Sequence, residues 1–249
     1  MMKRYGLIGY PLEHSFSPEL FRALFKSEGL DDHDYRTYPL KSAAELPALV
    51  RDQHLLGFSV TIPYKQQVIT FLDEISEEAQ SAGAVNQVTV CWKGEEFRLC
   101  GFNTDIPAFA ESLSGVDFFN RKALILGNGG ACRAVIQALG KLGFSFTIVS
   151  RQPQEGMLGW DEAGRLDLKA YTLIVNTTPL GMFPEVSAFP PIPYETLSSQ
   201  HLVYDLVYNP RETLFLKKAA SYGARVKNGM EMLKVQAELA WEVWKNNRL

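Results

Sequence analysis

The chain is predicted to fold as two α/β units, an N-terminal unit and a doubly wound one, with a C-terminal helix that returns to the first. Three observations predict it. The first third alternates short apolar strands with amphipathic helices. A second such series opens at Lys122 with a strand, a Gly-rich turn and a helix, in that order. A long helical pattern then closes the chain after Gly229. Strands alternating with helical patterns indicate a mainly parallel sheet, and two separated series indicate two sheets.

In the N-terminal series the strands are KRYGLIGY, HDYRTYPL and LLGFSVTI. Between the first two lies SPELFRALFKSEGL, where Leu20, Phe21, Leu24 and Phe25 recur at helical spacing; Ser17 is placed as N-cap and Pro18 in the first turn. His14 reads as a turn residue before it. A polar helix is expected near Ser42 to Asp52. VNQVTVCW and FRLCGFN flank Lys93-Gly94-Glu95 and form a hairpin pattern. The second series comprises KALILGN, a helix from Gly130 to Leu142, FSFTIVS, TLIVNTT and HLVYDLVY. Gln152 to Tyr171 shows no long helical pattern, so one crossover there is expected to be abbreviated. MEMLKVQAELAWEVWKNN places Met232, Val235, Leu239 and Val243 on one face of the last helix. The junctions are expected near Thr104 to Pro107 and Lys227 to Gly229, giving domains 1–104 and 105–228, with 229–249 packing back on the first.

Composition narrows the function. Of 249 residues, 46% are hydrophobic, enough for packed cores. The net charge is -3, with both signs scattered, so there is no basic stripe for nucleic acid. No apolar stretch is long enough to span a bilayer, and the first residues lack a signal-like apolar core. Cys91, Cys100 and Cys132 are odd in number and form no CxxC pair, which fits a reducing, cytoplasmic setting. No metal is expected. The expected partners are a small-molecule substrate and, at most, a second copy of the chain, so a monomer or homodimer.

KALILGNGGACRAVIQAL has the strand, turn and helix that a dinucleotide-binding loop requires, as in a Rossmann-like domain. Gly127 permits the tight turn, and Gly129 lets backbone approach a pyrophosphate. Gly130 and Ala131 open a helix whose N-terminal amides favour an anion. The sixth position of the fingerprint is Cys132, small but neither Gly nor Ala. After FTIVS the usual acidic ribose ligand is absent, and Ser150, Arg151 and Gln152 stand there. Arg suits a 2′-phosphate, so NADP is preferred to NAD. The plainer alternatives are an ordinary βα turn and a solvated surface Arg.

Four polar segments, GYPLEHSFSPEL, GFSVTIPYKQQ, GAVNQV and GFNTDIPAF, each end a predicted strand or open a helix. In open α/β sheets ligands sit at such strand ends. Lys65 and Asp105 suggest a proton donor with a carboxylate that orients it, suited to reversible reduction of a polar ketone. Singly, each residue also has a structural reading: a solvated Lys, or an acidic residue favoured by a helix dipole.

The ordered set GYPLEHSFSP, VTIPYK, GAVNQ, NTD, GNGGACR, SR, NTTPLGM, DLVYNPRET and NGMEMLKVQ resembles the shikimate dehydrogenase family over nearly the whole chain. The resemblance implies NADPH-dependent reduction of 3-dehydroshikimate to shikimate, in the route to aromatic amino acids. It also implies that Ser15 and Ser17 hold the substrate carboxylate, that Thr61, Asn86, Asp105 and Gln236 bond the ring hydroxyls, and that Lys65 and Asp105 are the catalytic pair. Gly127, Gly129, Gly130, Ala131, Ser150 and Arg151 would bind the diphosphate and 2′-phosphate. Thr177 and Gly229 would lie near the ribose or nicotinamide, and Tyr208 would approach the substrate from the cofactor domain. The chain departs from the family pattern at Ser59, usually Asn, at Gln87, usually Thr, and at Ile106, usually Gly. A quinate or amino-shikimate dehydrogenase would share these motifs. A non-catalytic nucleotide sensor would need neither Lys65 nor Asp105, and a tRNA-dependent reductase would need a nucleophilic Cys and a basic surface.

Overall fold

The structure is a computed structural model that describes Met2–Glu13 and Ser15–Asn246; His14, and Asn247 at the end of the predicted last helix, lie outside the described residues. In chain order the elements of the first series are β1 (Lys3–Gly9), α1 (Ser17–Ser27), β2 (His33–Pro39), α2 (Leu46–Gln53), β3 (Leu55–Val60), β4 (Glu74–Ile75), α3 (Glu77–Ala82), β5 (Gln87–Lys93), β6 (Glu96–Phe102) and α4 (Asp105–Ser112). The second series is β7 (Lys122–Leu126), α5 (Gly130–Lys141), β8 (Ser145–Val149), β9 (Met157–Leu158), α6 (Trp160–Ala163), β10 (Leu173–Asn176), β11 (Leu202–Asp205), α7 (Leu214–Ser221), β12 (Arg225–Asn228) and α8 (Met230–Asn246). The chain divides into two compact units, Met1–Ala108 with Leu233–Leu249, and Phe109–Met232.

The first unit is built on a mixed sheet in the order β2-β1-β3-β5-β6-β4. β1 runs parallel to β2 and β3, and the β5–β6 hairpin adds antiparallel to β3. One core cluster joins Ile8, Phe58, Val60, Val85 and Val88 to Leu46 and Val50 of α2. A second joins Tyr5, Leu7 and Tyr35 to Phe21 and Phe25 of α1 and to α8.

Two predicted details of the helices are corrected. Ser17 is the first residue of α1, not its cap; Phe16 holds the N-cap position without a side-chain bond, and the Ser17 N–H donates to Ser15 Oγ at 3.3 Å. A residue already in helical conformation does not reach back to cap its own first turn, and Pro18 removes one amide that would need a cap. In α8 the buried residues are Met232, as expected, and Ala237, Ala240, Trp241 and Trp244, whereas Val235, Leu239 and Val243 are only partly buried. The tryptophans decide the rotation because their rings hide the most surface and their N–H groups find acceptors, Glu28 Oε2 at 2.7 Å and Val88 O at 3.0 Å. The indole of Trp244 lies on Gly57, where a Cβ would stand 2.6 Å from the ring.

In the second unit the sheet is wholly parallel, in the order β12-β11-β10-β7-β8-β9. β7, β10 and β11 read as largely apolar runs because they are buried at every position but Lys122. The polar edge strand β12, with pattern exposed or half-buried, lies where the sequence suggested only a connection. The β8-to-β10 connection carries no long helix, as expected, but does hold the short strand β9 beside the four-residue α6.

Candidate active site

In the first unit Asp105 opens α4 and is the centre of a polar cluster, with its side chain 2% exposed. Its Oδ2 accepts from Lys65 Nζ at 2.5 Å. Its Oδ1 accepts from Asn86 Nδ2 at 2.8 Å and from Gln236 Nε2 of α8. Asn86 stands just before β5, and its Oδ1 takes the Thr104 N–H at 2.7 Å, so the turn into α4 is fixed from the same amide. Asn103 fastens that turn twice, donating to Ala84 O and accepting the Ile106 N–H. Four predicted residues, Lys65, Asn86, Asp105 and Gln236, are thereby joined directly. Ser15 and Ser17 lie together at the start of α1, and Thr61 follows β3, its methyl group against Gly9. Among the described residues none of these three is hydrogen-bonded to the Asp105 cluster.

Lys65 has access to solvent, its side chain 18% exposed. An ammonium has three donors and one is spent on Asp105, leaving others for a ligand oxygen. Ser59, a departure from the family pattern, is buried; it accepts from Tyr35 OH at 3.0 Å and donates to Gln87 Oε1 at 2.9 Å. The two departures are therefore partners of each other.

In the second unit β7 passes through Gly127, at φ +112, into α5, for which Gly129 is the N-cap without any side-chain bond. A Cβ on Gly127 would lie 2.6 Å from Thr177 Oγ1, whereas one on Gly129 would meet nothing within 4 Å. The loop is thus tight on its inner side and open at the helix start, where the first-turn amides of Gly130, Ala131 and Cys132 have no side-chain cap. That arrangement fits a dinucleotide pyrophosphate. At the end of β8, Ser150 Oγ accepts the Gln152 N–H at 3.2 Å, closing a turn that presents Arg151, which is exposed and outside every ion pair of the described residues. Thr177 follows β10, its N–H and hydroxyl both on Leu126 O, at 2.8 and 2.9 Å. Tyr208 lies in the loop after β11, half-buried. Gly229 follows β12 and touches the same loop; a Cβ there would stand 2.1 Å from Leu206 O.

The sequence did not single out Asp205, which ends β11 fully buried and accepts from Asn176, Val207 and Thr213. Burial raises its carboxyl to about 6. A signal was present: two apolar strands, TLIVN and HLVYD, each end in a side chain that cannot be buried without partners. Burial also pushes the Cys100 thiol up to about 11 and the Cys132 thiol up to about 12, so neither is an activated nucleophile. Among the described residues no group of three or more His, Cys, Asp or Glu side chains could hold a metal ion, and no helix is long and apolar enough to cross a membrane.

The two sheets, the carboxylate cluster and the glycine loop define the class, an α/β protein with a substrate-type unit and a Rossmann-like unit. Residues 7–88 match the family model described as the shikimate dehydrogenase substrate binding domain. The chain is 38% identical over 262 residues to the shikimate dehydrogenase (NADP(+)) of Carboxydothermus hydrogenoformans, covering 97% of this chain and 91% of that protein. Its fold is similar to a crystal structure of a shikimate dehydrogenase in complex with NADP+, with TM-score 0.87, 32% identity, and 99% and 91% of the two chains covered. It is also similar to the enzyme of Thermus thermophilus in complex with NADP(H) and shikimate, with TM-score 0.83, 33% identity, and 98% and 94% covered. The chain belongs to the shikimate dehydrogenase family.

Proposed function

We propose that the protein catalyses the NADPH-dependent, reversible reduction of 3-dehydroshikimate to shikimate, a step toward aromatic amino acids. The observation that carries the reading is the Lys65–Asp105 pair, with Nζ 2.5 Å from Oδ2, set among the Asn86 and Gln236 amides in a member of this family. The substrate is assigned to the first unit, Met1–Ala108 with Leu233–Leu249, and the cofactor to the second, Phe109–Met232. The enzyme acts in the cytoplasm as a monomer or homodimer, a setting suited to three cysteines that form no disulfide among the described residues, and without nucleic acid or membrane partners.

The chemistry a bound nicotinamide supplies is hydride transfer to the ketone carbon. Lys65 Nζ gives its proton to the ketone oxygen in reduction and recovers it from the hydroxyl in oxidation, exchanging with solvent through its exposed part. Asp105 keeps that ammonium in place and takes a bond from a ring hydroxyl with its remaining lone pairs. Asn86 and Gln236 fill Oδ1 and so fix the plane of the carboxylate. The Ser15 and Ser17 hydroxyls receive the substrate carboxylate at the positive end of the eleven-residue α1, and Thr61 bonds a ring hydroxyl. Gly127, Gly129, Gly130 and Ala131 hold the diphosphate on backbone amides, Ser150 and Arg151 take the 2′-phosphate, Thr177 and Gly229 lie near the ribose or nicotinamide, and Tyr208 is assigned to the substrate.

The test is appearance of NADPH absorbance when purified protein is given shikimate and NADP+, with quinate and an amino-shikimate in parallel. Turnover of shikimate well above the others supports the reading, and turnover of quinate alone replaces it with the neighbouring activity.

A further inference from the structure

In the second unit β10 and β11 end side by side, Asn176 in register with Asp205. Asp205 Oδ1 accepts from Asn176 Nδ2 at 2.9 Å and from the Val207 N–H at 3.0 Å, and Oδ2 accepts from Thr213 Oγ1 at 2.6 Å. Each partner governs a different segment. Asn176 Oδ1 holds the Thr178 N–H and hydroxyl at 3.0 and 2.6 Å, and Thr178 Oγ1 takes the Leu180 N–H, so the turn carrying Thr177 is closed from Asn176. Thr177 in turn packs against the left-handed Gly127. Val207 O accepts from the Gly229 N–H at 3.3 Å, so the segment bearing Tyr208 also seats Gly229. Thr213 is the N-cap of α7, its hydroxyl accepting the Leu216 N–H.

Thr177, Tyr208 and Gly229 therefore lie on backbone tied, directly or through one amide, to a single buried carboxylate. No ion pair of the described residues includes Asp205. The titratable group whose ionisation feels its charge is Tyr194, which is itself buried and donates to Pro190 O. A buried anion without a cation is costly to keep, so its place here points to a task other than stability. We propose that Asp205 is a positioning residue for the nicotinamide end of the dinucleotide site, holding the Asn176–Leu180 turn, the Leu206–Tyr208 segment and the start of α7 in one arrangement. The role rests on the reading that this unit binds NADP.

Asp205→Asn keeps the shape but leaves Asn176 and the Val207 N–H on a neutral carbonyl oxygen, a weaker acceptor than the carboxylate, and directs an amide at Thr213 Oγ1, which then has two donors to accept and loses its own bond. Three measurements on the whole chain separate positioning from mere structural support: amide hydrogen exchange without cofactor, calorimetric titration with NADP+, and thermal unfolding. The variant is expected to exchange faster at Thr178, Leu180 and Val207 and to bind NADP+ more weakly, each by about tenfold, the equivalent of one lost bond. Its melting temperature at pH 8 is expected to be equal or higher, because a buried charge is gone. Unchanged exchange at those amides, or unchanged NADP+ affinity, overturns the proposal. A lower melting temperature with faster exchange throughout the unit also overturns it, in favour of a purely structural role. Wild-type protein that binds no NADP+ refutes the cofactor reading itself, whereas a normal wild type with an equally tight variant refutes the positioning role alone.

Discussion

Lys65→Met removes the ammonium and keeps most of the stem, leaving Asp105 with a side chain only 2% exposed and without its charged donor at 2.5 Å. Two amide donors remain, from Asn86 and Gln236. Breaking a buried pair costs about 3–5 kcal/mol; with Lys65 partly open to water the lower end applies, so a loss of about 3 kcal/mol is expected. The chemical step loses its proton donor as well, a reduction in kcat of about 10²- to 10⁴-fold. Asp105→Asn should lower kcat and raise the KM for shikimate, because that carboxylate both orients Lys65 and bonds the ring. In the double variant no buried charge is left unpaired, so it should be more stable than Lys65→Met alone, while its kcat/KM is barely worse than the poorer single variant. The assay is the double-mutant cycle on kcat/KM for shikimate at saturating NADP+, with thermal unfolding of all four proteins. A folded Lys65→Met enzyme with near-normal kcat, or fully additive losses, would refute the assignment.

Arg151→Ala should weaken NADP+ by about ten- to a hundredfold, the worth of one charge-assisted bond, and leave NAD+ nearly unchanged; titration with both cofactors checks it. Ser17→Ala should raise the KM for shikimate without lowering the melting temperature, since Ser17 makes no capping bond; a lower melting temperature with unchanged KM would return Ser17 to a structural role. Gly57→Ala forces a methyl to 2.6 Å from the Trp244 ring and should cost about 1–3 kcal/mol in chemical denaturation. Burial lifts the Asp205 carboxyl to about 6, above the ordinary aspartate value of 3.8, so the folded protein holds the proton longer. Its contribution to stability is full below about 4 and is lost as pH rises through about 6, on the order of 3 kcal/mol. Wild type minus Asp205→Asn unfolding free energies should therefore fall over that window, and a flat difference would contradict the burial argument.

Much of this was legible in the sequence because its signals are local. Gly127 and Gly129 sit between an apolar strand and a helix, so their backbone roles follow from neighbours in the chain. The NTD and VTIPYK segments likewise announce polar groups where a bare scaffold needs none. What escaped depends on partners distant in sequence. The stripe of α8 is set by Trp241 and Trp244 meeting Tyr5 and Phe25, contacts that spacing alone does not rank. β12 carries too few apolar residues to read as a strand and exists because β11 offers it an edge. Asp205 gains its meaning from Asn176, 29 positions away in the chain. Ser59 and Gln87 read as two unrelated departures until the β3–β5 pairing sets them opposite each other.

The measurement that tests the central claim most directly is shikimate oxidation by the purified protein with NADP+, followed by NADPH absorbance, beside the Lys65→Met variant of verified fold. The account predicts turnover by the wild type, strongly preferring NADP+ to NAD+, and a loss of at least about a hundredfold in the variant. A folded, NADP+-binding wild type that turns over no shikimate would contradict it.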